Sequence, residues 1–316
     1  MTTPALRTRP TTGAAGAPEP RRRRSAAARE GLAGWGFVGP ALAVVLGLTI
    51  FPGVWALVLS FQRWDGFSPP SFAGIENYQD LATDASALAA AVHTLLYTVL
   101  FVPASLLLGL ALAVALNRRI RFIGLYRTAI FVPFVASAAA TGILTTYLFS
   151  PQFGIVNNVL RVLHVPPQGW LEDRAEAMVV IVVMSLWGQA AFTTVIYLAA
   201  LQDVPGDVLE AARIDGANTW QTFWRVVWPQ LAPVTAFVGI YQTLQAVQLF
   251  DLVYATTRGG PLDATQTIVY YLWKTAFQNL QFGYGSAIAY GMFFVTLTAT
   301  VIVTVVQRRA GRNAAR

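Results

Sequence analysis

The chain has 316 residues, 55% hydrophobic and only 12% charged, with a mean hydropathy of +0.53, whereas charged residues make up about a quarter of a soluble domain. That balance excludes a water-soluble globular enzyme, because the charge is too sparse to clothe its surface. The absence of cysteine excludes disulfide scaffolds, thiolate metal sites and cysteine nucleophiles, and the only two histidines, His93 and His164, are too far apart in sequence to suggest a histidine metal centre.

Residues 1–30 are rich in Ala, Pro, Thr, Gly and Arg with few large apolar side chains. Such a stretch cannot offset the entropy of ordering and is expected to be a disordered basic tail. Six charge-free apolar windows follow: Phe37–Phe61, Ala91–Leu116, Thr128–Phe149, Ala177–Leu201, Leu231–Phe250 and Gly285–Val306. Each has about the 20 residues needed to cross the hydrocarbon layer. The first follows an Arg cluster, but it is longer than the apolar core of a cleavable signal, about 7 to 15 residues, and reads as an uncleaved anchor. The expected fold class is an all-α integral membrane protein with six transmembrane helices. Residues 31–90 hold the first helix and an outer loop, 91–306 the core with a loop at 202–230, and 307–316 a basic tail.

Placing the amino terminus in the cytoplasm puts 17 of the 22 basic residues on inside segments and leaves five outside: Arg63, Arg161, Arg174, Arg258 and Lys274. Basic residues near span ends stay cytoplasmic, so both termini are expected inside. The same asymmetry accounts for the net charge of +7, so the run Arg21 to Arg24 needs no nucleic acid to explain it. Trp64, Trp170 and Trp273 in the outer connections suit the headgroup interface. His93 and His164 fall near the outer surface as boundary residues.

The stretch Gln202 to Gln230 reads as two short helices. Pro205 suits a first helical turn, and Asp207 with Glu210 forms an approximate capping box, although either Asp203 or Asp207 can serve as the cap. Leu209 to Arg213 are helix formers. Gly216 is the corner, where a glycine can take the left-handed conformation that ends a helix. Asn218 with Gln221 starts the second helix, whose Trp220, Phe223, Trp224 and Val227 line one face suited to the bilayer surface. Pro229 and Pro233 mark where it yields to the fifth span.

Glu210, Ala211, Ala212, Gly216, Val226, Trp228 and Pro229 resemble, in spacing, the EAA motif of ABC importer permeases, with Trp228 standing where a Leu is usual and Val226 for Ile, and Asp215 beside the glycine is grouped with them as a coupling residue. Leu125 to Leu160, Ile196 to Asp203, Thr257 to Pro261 (TRGGP) and Tyr270 to Asn279 are likewise similar to permeases of the maltose and glycerol-phosphate class of carbohydrate importers. The resemblance covers the chain from about Ala91 onwards. It implies a type I ABC importer permease architecture, a second permease subunit, two ATP-binding subunits that carry ATP and Mg, an extracytoplasmic solute-binding protein, and a carbohydrate substrate. No cofactor is expected on this chain itself. By the same resemblance the first loop helix, Asp207 to Asp215, is the coupling helix, and Glu210 either pairs with a basic group on the ATPase or completes the helix cap.

A nucleotide-cradling GxxxxGK[ST] loop needs a Lys beside a glycine turn, and Lys274, the only Lys, follows Leu272 and Trp273. Energy therefore enters through another polypeptide or through an ion gradient. A gradient-driven carrier or channel favours charged residues inside the spans, and the six windows contain none. No Ser/His, paired-carboxylate or metal-ligand constellation within them points to an enzyme. An uncharged polar lining suits a polyhydroxylated solute, and two spans offer one. The fourth carries Gln189, Thr193 and Tyr197; the fifth carries Tyr241, Gln242, Gln245 and Gln248, whose three glutamines at a spacing of three are expected near one helix face. Each can equally serve interhelical hydrogen bonding. Pro103 and Pro133 are candidate bends. TRGGP is a turn, and Ile268, Leu272, Ala276 and Leu280 mark a short amphipathic helix after it.

Overall fold

The computed structural model describes residues 35–118 and 121–314, with side chains through 301. The expected tail at 1–30 and Arg119 lie outside the described residues. The described residues divide between Trp55 and Ala56 into two compact units. Helix α1 (Trp35–Ser60) supplies the described part of the first and its last five residues begin the second; it is apolar, with a π segment at Leu46–Ile50, and its Phe37, Leu48 and Phe51 side chains are exposed.

After α1 the larger unit continues with a two-stranded antiparallel hairpin, β1 (Gln62–Arg63) and β2 (Ser71–Phe72), a small departure from the all-α expectation. Helices follow in order: α2 (Glu76–Thr83), α3 (Ala85–Leu116), α4 (Ile123–Val135), α5 (Ala138–Leu148), α6 (Ile155–Val162), α7 (Ala177–Gln202), α8 (Gly206–Ile214), α9 (Thr219–Thr222), α10 (Trp228–Val247), α11 (Asp251–Ala255), α12 (Ile268–Trp273) and α13 (Phe282–Ala314).

Four of these helices, α1, α3, α7 and α13 up to Val301, are long and apolar enough to cross a membrane. The expected third span, Thr128–Phe149, is not one rod: α4 and α5 meet at 103°. The cause is local. Pro133 cannot donate to the helix ladder, Ala136 and Ser137 are extended, and the Ser137 hydroxyl caps the Ala140 N–H, starting a new helix. Pro103, by contrast, sits inside an uninterrupted α3. The fifth window is helical as α10 but is not apolar enough to count with the other four, as its glutamines would lead one to expect. It ends at Val247, with Gln248 as its cap, rather than at Phe250.

The core lies where α3 and α7 run against each other. Tyr97 and Phe101 of α3 stack at 5.2 Å and pack with Ile181 and Met184 of α7 and Val253 of α11. Close approach depends on small residues. A Cβ on Gly109 would lie 2.5 Å from Thr193 Cβ, and one on Gly142 would lie 2.4 Å from Ala255 Cβ.

At the end of the bundle where α3 begins, Asp84 joins three segments. Its Oδ1 accepts from the Ser86 N–H at 2.8 Å and caps α3. Its Oδ2 accepts from the hydroxyls of Tyr271 at 2.5 Å and Tyr284 at 2.6 Å. Burial alone raises the Asp84 carboxyl, but the two hydroxyls and the backbone N–H groups of Ala87 and Ser86 outweigh it and hold the group below its ordinary value. The Tyr271 phenol is pushed up to about 12, by burial first and then by the carboxylate. The clamp therefore stabilises fully above Asp84's ordinary value of 3.8 and fails as pH falls further. On the alkaline side it holds below 10 and fails as pH rises through about 12. Asp84→Asn is expected to lower stability by about 1 kcal/mol, a charged hydrogen-bond value discounted for solvent access, and to flatten both arms of the melting temperature against pH.

Candidate functional site: a coupling loop and a polar cleft

The loop after α7 is built from local chemistry. Pro205 is the N-cap of α8, with no side-chain cap bond. The capping box expected of Asp207 and Glu210 is therefore not formed: Asp207 lies in the first turn, and Asp203 instead ends α7. Glu210, Ala211 and Asp215 are exposed and Ala212 is buried. Freed of the cap role, the Glu210 side chain takes part in neither of the ion pairs among the described residues.

Helix α8 ends on a Schellman motif. The Ala217 N–H donates to Ala212 O at 3.0 Å and the Gly216 N–H to Arg213 O at 3.1 Å. Gly216 takes φ +79, the left-handed corner expected from sequence. Two residues on, the box between Asn218 and Gln221 is reciprocal, with bonds of 2.9 and 3.0 Å. Pro229 and Pro233 do not separate a surface helix from a span. The chain stays helical from Thr219 to Val247, passing through a π turn at Phe223–Val227 in which the Trp228 N–H reaches Phe223 O. That wider turn lies just before Pro229, which lacks the N–H an α-turn needs. Trp220, Trp224 and Trp228 form a ladder along it, with ring centroids 5.4 and 5.5 Å apart.

The far end of the same helix reaches a cleft of about 360 Å³ bounded by α3, α4, α5, α7, α10 and α11. Gln189, Gln245 and Gln248 line it, together with Phe134, Thr141 and Asp251. The other sequence-selected residues are placed elsewhere. Thr193 and Tyr197 are buried in helix packing. Tyr241 stacks on Phe192 at 4.2 Å. Gln242 is fully buried and donates to Ser105 Oγ of α3 at 3.0 Å. Asp251 and Phe134 were not selected from sequence; the three-residue step from Gln245 to Gln248, carried once more, reaches Asp251.

TRGGP forms a turn in which Thr265 Oγ1 donates to Gly260 O at 2.7 Å. After it, Ile268 and Ala276 are buried and Leu280 is exposed.

Residues 105–315 match a protein family described as the binding-protein-dependent transport system inner membrane component. The chain belongs to this family. It is a multi-pass inner-membrane permease subunit of an ABC importer, and ATP hydrolysis resides on a separate polypeptide. This permease is 36% identical over 263 residues to the lactose transport system permease protein LacF of Rhizobium radiobacter, covering 81% of this chain and 88% of that one. It is 33% identical over 268 residues to the sn-glycerol-3-phosphate transport system permease protein UgpA of Agrobacterium fabrum, covering 83% and 90%. Its fold matches a chain of the bacterial alginate ABC transporter solved in complex with an alginate pentasaccharide-bound periplasmic protein. The TM-score is 0.80 at 19% identity, over 92% of this chain and 98% of that one.

Proposed function

We propose that this permease translocates a sugar or related polyol through the cleft and receives its driving force at the loop 202–230. In this reading it crosses the membrane six times, as α1, α3, the bent pair α4 and α5, α7, α10 and α13, with both termini in the cytoplasm. The excess of Arg on the corresponding inside segments supports that direction. Its partners are a second permease subunit, two ATP-binding subunits carrying ATP and Mg, and an extracytoplasmic solute-binding protein. The relative named as a lactose transport system permease supports the cargo, and the neighbour solved with a periplasmic protein supports the binding-protein partner.

The observation that carries the proposal is the continuity of one helix. Its start is set by the Gly216 corner and the Asn218 box, and near its end it presents Gln245 and Gln248 to the cleft. Glu210, Ala211, Ala212, Asp215, Gly216 and Pro229 are assigned to coupling. Motion imposed on α8 alternates the cleft between the two sides of the membrane.

The test is reconstitution in vesicles with the partner permease, ATPases and binding protein. ATP-dependent sugar uptake is expected; uptake by this chain alone without ATP would support a gradient-driven carrier instead. Gln245→Ala is expected to raise the half-saturating solute concentration about three- to tenfold, the worth of one hydrogen bond. Gln242→Leu, which replaces a residue bonded only to Ser105 Oγ, is expected to leave that concentration unchanged.

A further inference from the structure

The cleft is polar but unbalanced in charge. Among the described residues, no Lys, Arg or His lines it, and its one ionisable carboxylate is Asp251. Gln245, Gln248 and Asp251 are all solvent-exposed, and Asp251 takes part in neither of the ion pairs among the described residues, which join Arg63 to Glu76 and Lys274 to Asp263. Beside them, Gln189 Oε1 is buried without a hydrogen-bond partner. A buried acceptor left unmet costs free energy, and because Gln189 lines the cleft, a turn of its side chain would bring that acceptor to a donor there. A hydroxyl supplies that donor. A carboxylate or phosphate brings further acceptors and meets Asp251 with like charge, at a site where low-dielectric walls focus the field.

We propose that this cleft admits electrically neutral polyhydroxylated solutes and turns anionic ones away, with Asp251 as the residue that sets the charge preference and Gln189 as an acceptor for a solute hydroxyl. The proposal deepens the transport reading and rests on it.

The chain's lack of cysteine permits a direct measurement. Thr141→Cys places a thiol on the cleft lining of the assembled transporter. Its modification by a cationic and an anionic methanethiosulfonate reagent is followed as a mass shift on this chain and referred to a free thiol. The cationic reagent is expected to react roughly tenfold faster than the anionic one, a ratio within the reach of a focused field. Asp251→Asn should cut that ratio several-fold and Gln248→Lys should invert it. The partner permease's own charges are common to all three preparations. A ratio equal to that of the free thiol, or one that neither substitution moves, overturns the proposal. The same vesicles are assayed for ATP-driven uptake of neutral sugars. Uptake with a flat ratio removes this proposal and leaves the transport reading standing. A steep ratio with no ATP-driven uptake of any sugar removes the transport reading, and the solute assignment with it.

Discussion

Replacing Gly216 by Val is expected to abolish ATP-driven uptake, reducing it at least tenfold, while the transporter still assembles in the membrane. At φ +79 the residue sits where an L side chain is strained, at roughly 1 to 2 kcal/mol and more for a β-branched one. A Cβ there meets nothing within 4 Å, so within this chain the penalty is conformational rather than a clash. The chain relieves it by leaving the left-handed region, which breaks the bonds from Gly216 and Ala217 back to Arg213 and Ala212 and re-aims the helix that starts at Asn218. Gly216→Asn, a residue that tolerates this conformation, should retain most transport. Uptake and stimulated ATP hydrolysis measured on the same vesicles decide the matter; equal transport by the Val and Asn variants would show that the corner is dispensable.

A second large effect is expected at Gly283, and it concerns folding. The start of α13 presses on the hairpin: the Phe282 N–H donates to Trp64 O at 3.0 Å, and a Cβ on Gly283 would lie 1.9 Å from Gln62 O. The obstructing atom is a backbone carbonyl and cannot swing aside. Gly283→Ala therefore separates α13 from β1 and is expected to cost about 3 kcal/mol, the upper part of the usual overpacking range. In detergent this should appear as a fall in melting temperature of roughly 6 to 12 °C at about 2 to 4 °C per kcal/mol. Gly124→Ala, where nothing lies within 4 Å of the added atom, is the matched control and should melt like the parent.

What could be read in the sequence was governed by short-range physics. Charge-free windows announce membrane helices because lipid forbids unpaired charge and the bilayer sets the length. The Gly216 corner and the Asn218–Gln221 box were legible because caps act within three residues. The break at Ala136 and Ser137 was half legible: Pro133 signalled a bend, but nothing local required a new helix three residues later. The Asp84 clamp was not legible, since its tyrosines lie 187 and 200 residues away. The glutamines of α10 show the limit of spacing arguments. A step of three residues turns a helix by about 300°, so Gln248 stands roughly 120° from Gln242. Only the neighbours, α3 on one side and the cleft on the other, decide which of them meets solute.

The unbroken run from Thr219 to Val247 has a geometric corollary. At about 1.5 Å per residue the run spans about 43 Å, and a tilt of roughly 5° of the run as one body would sweep its distal tip through about 4 Å. An arc of that size exceeds the width of a water molecule, so on the proposed coupling reading a small rocking of the proximal end would be enough to uncover or seal the glutamines at the other.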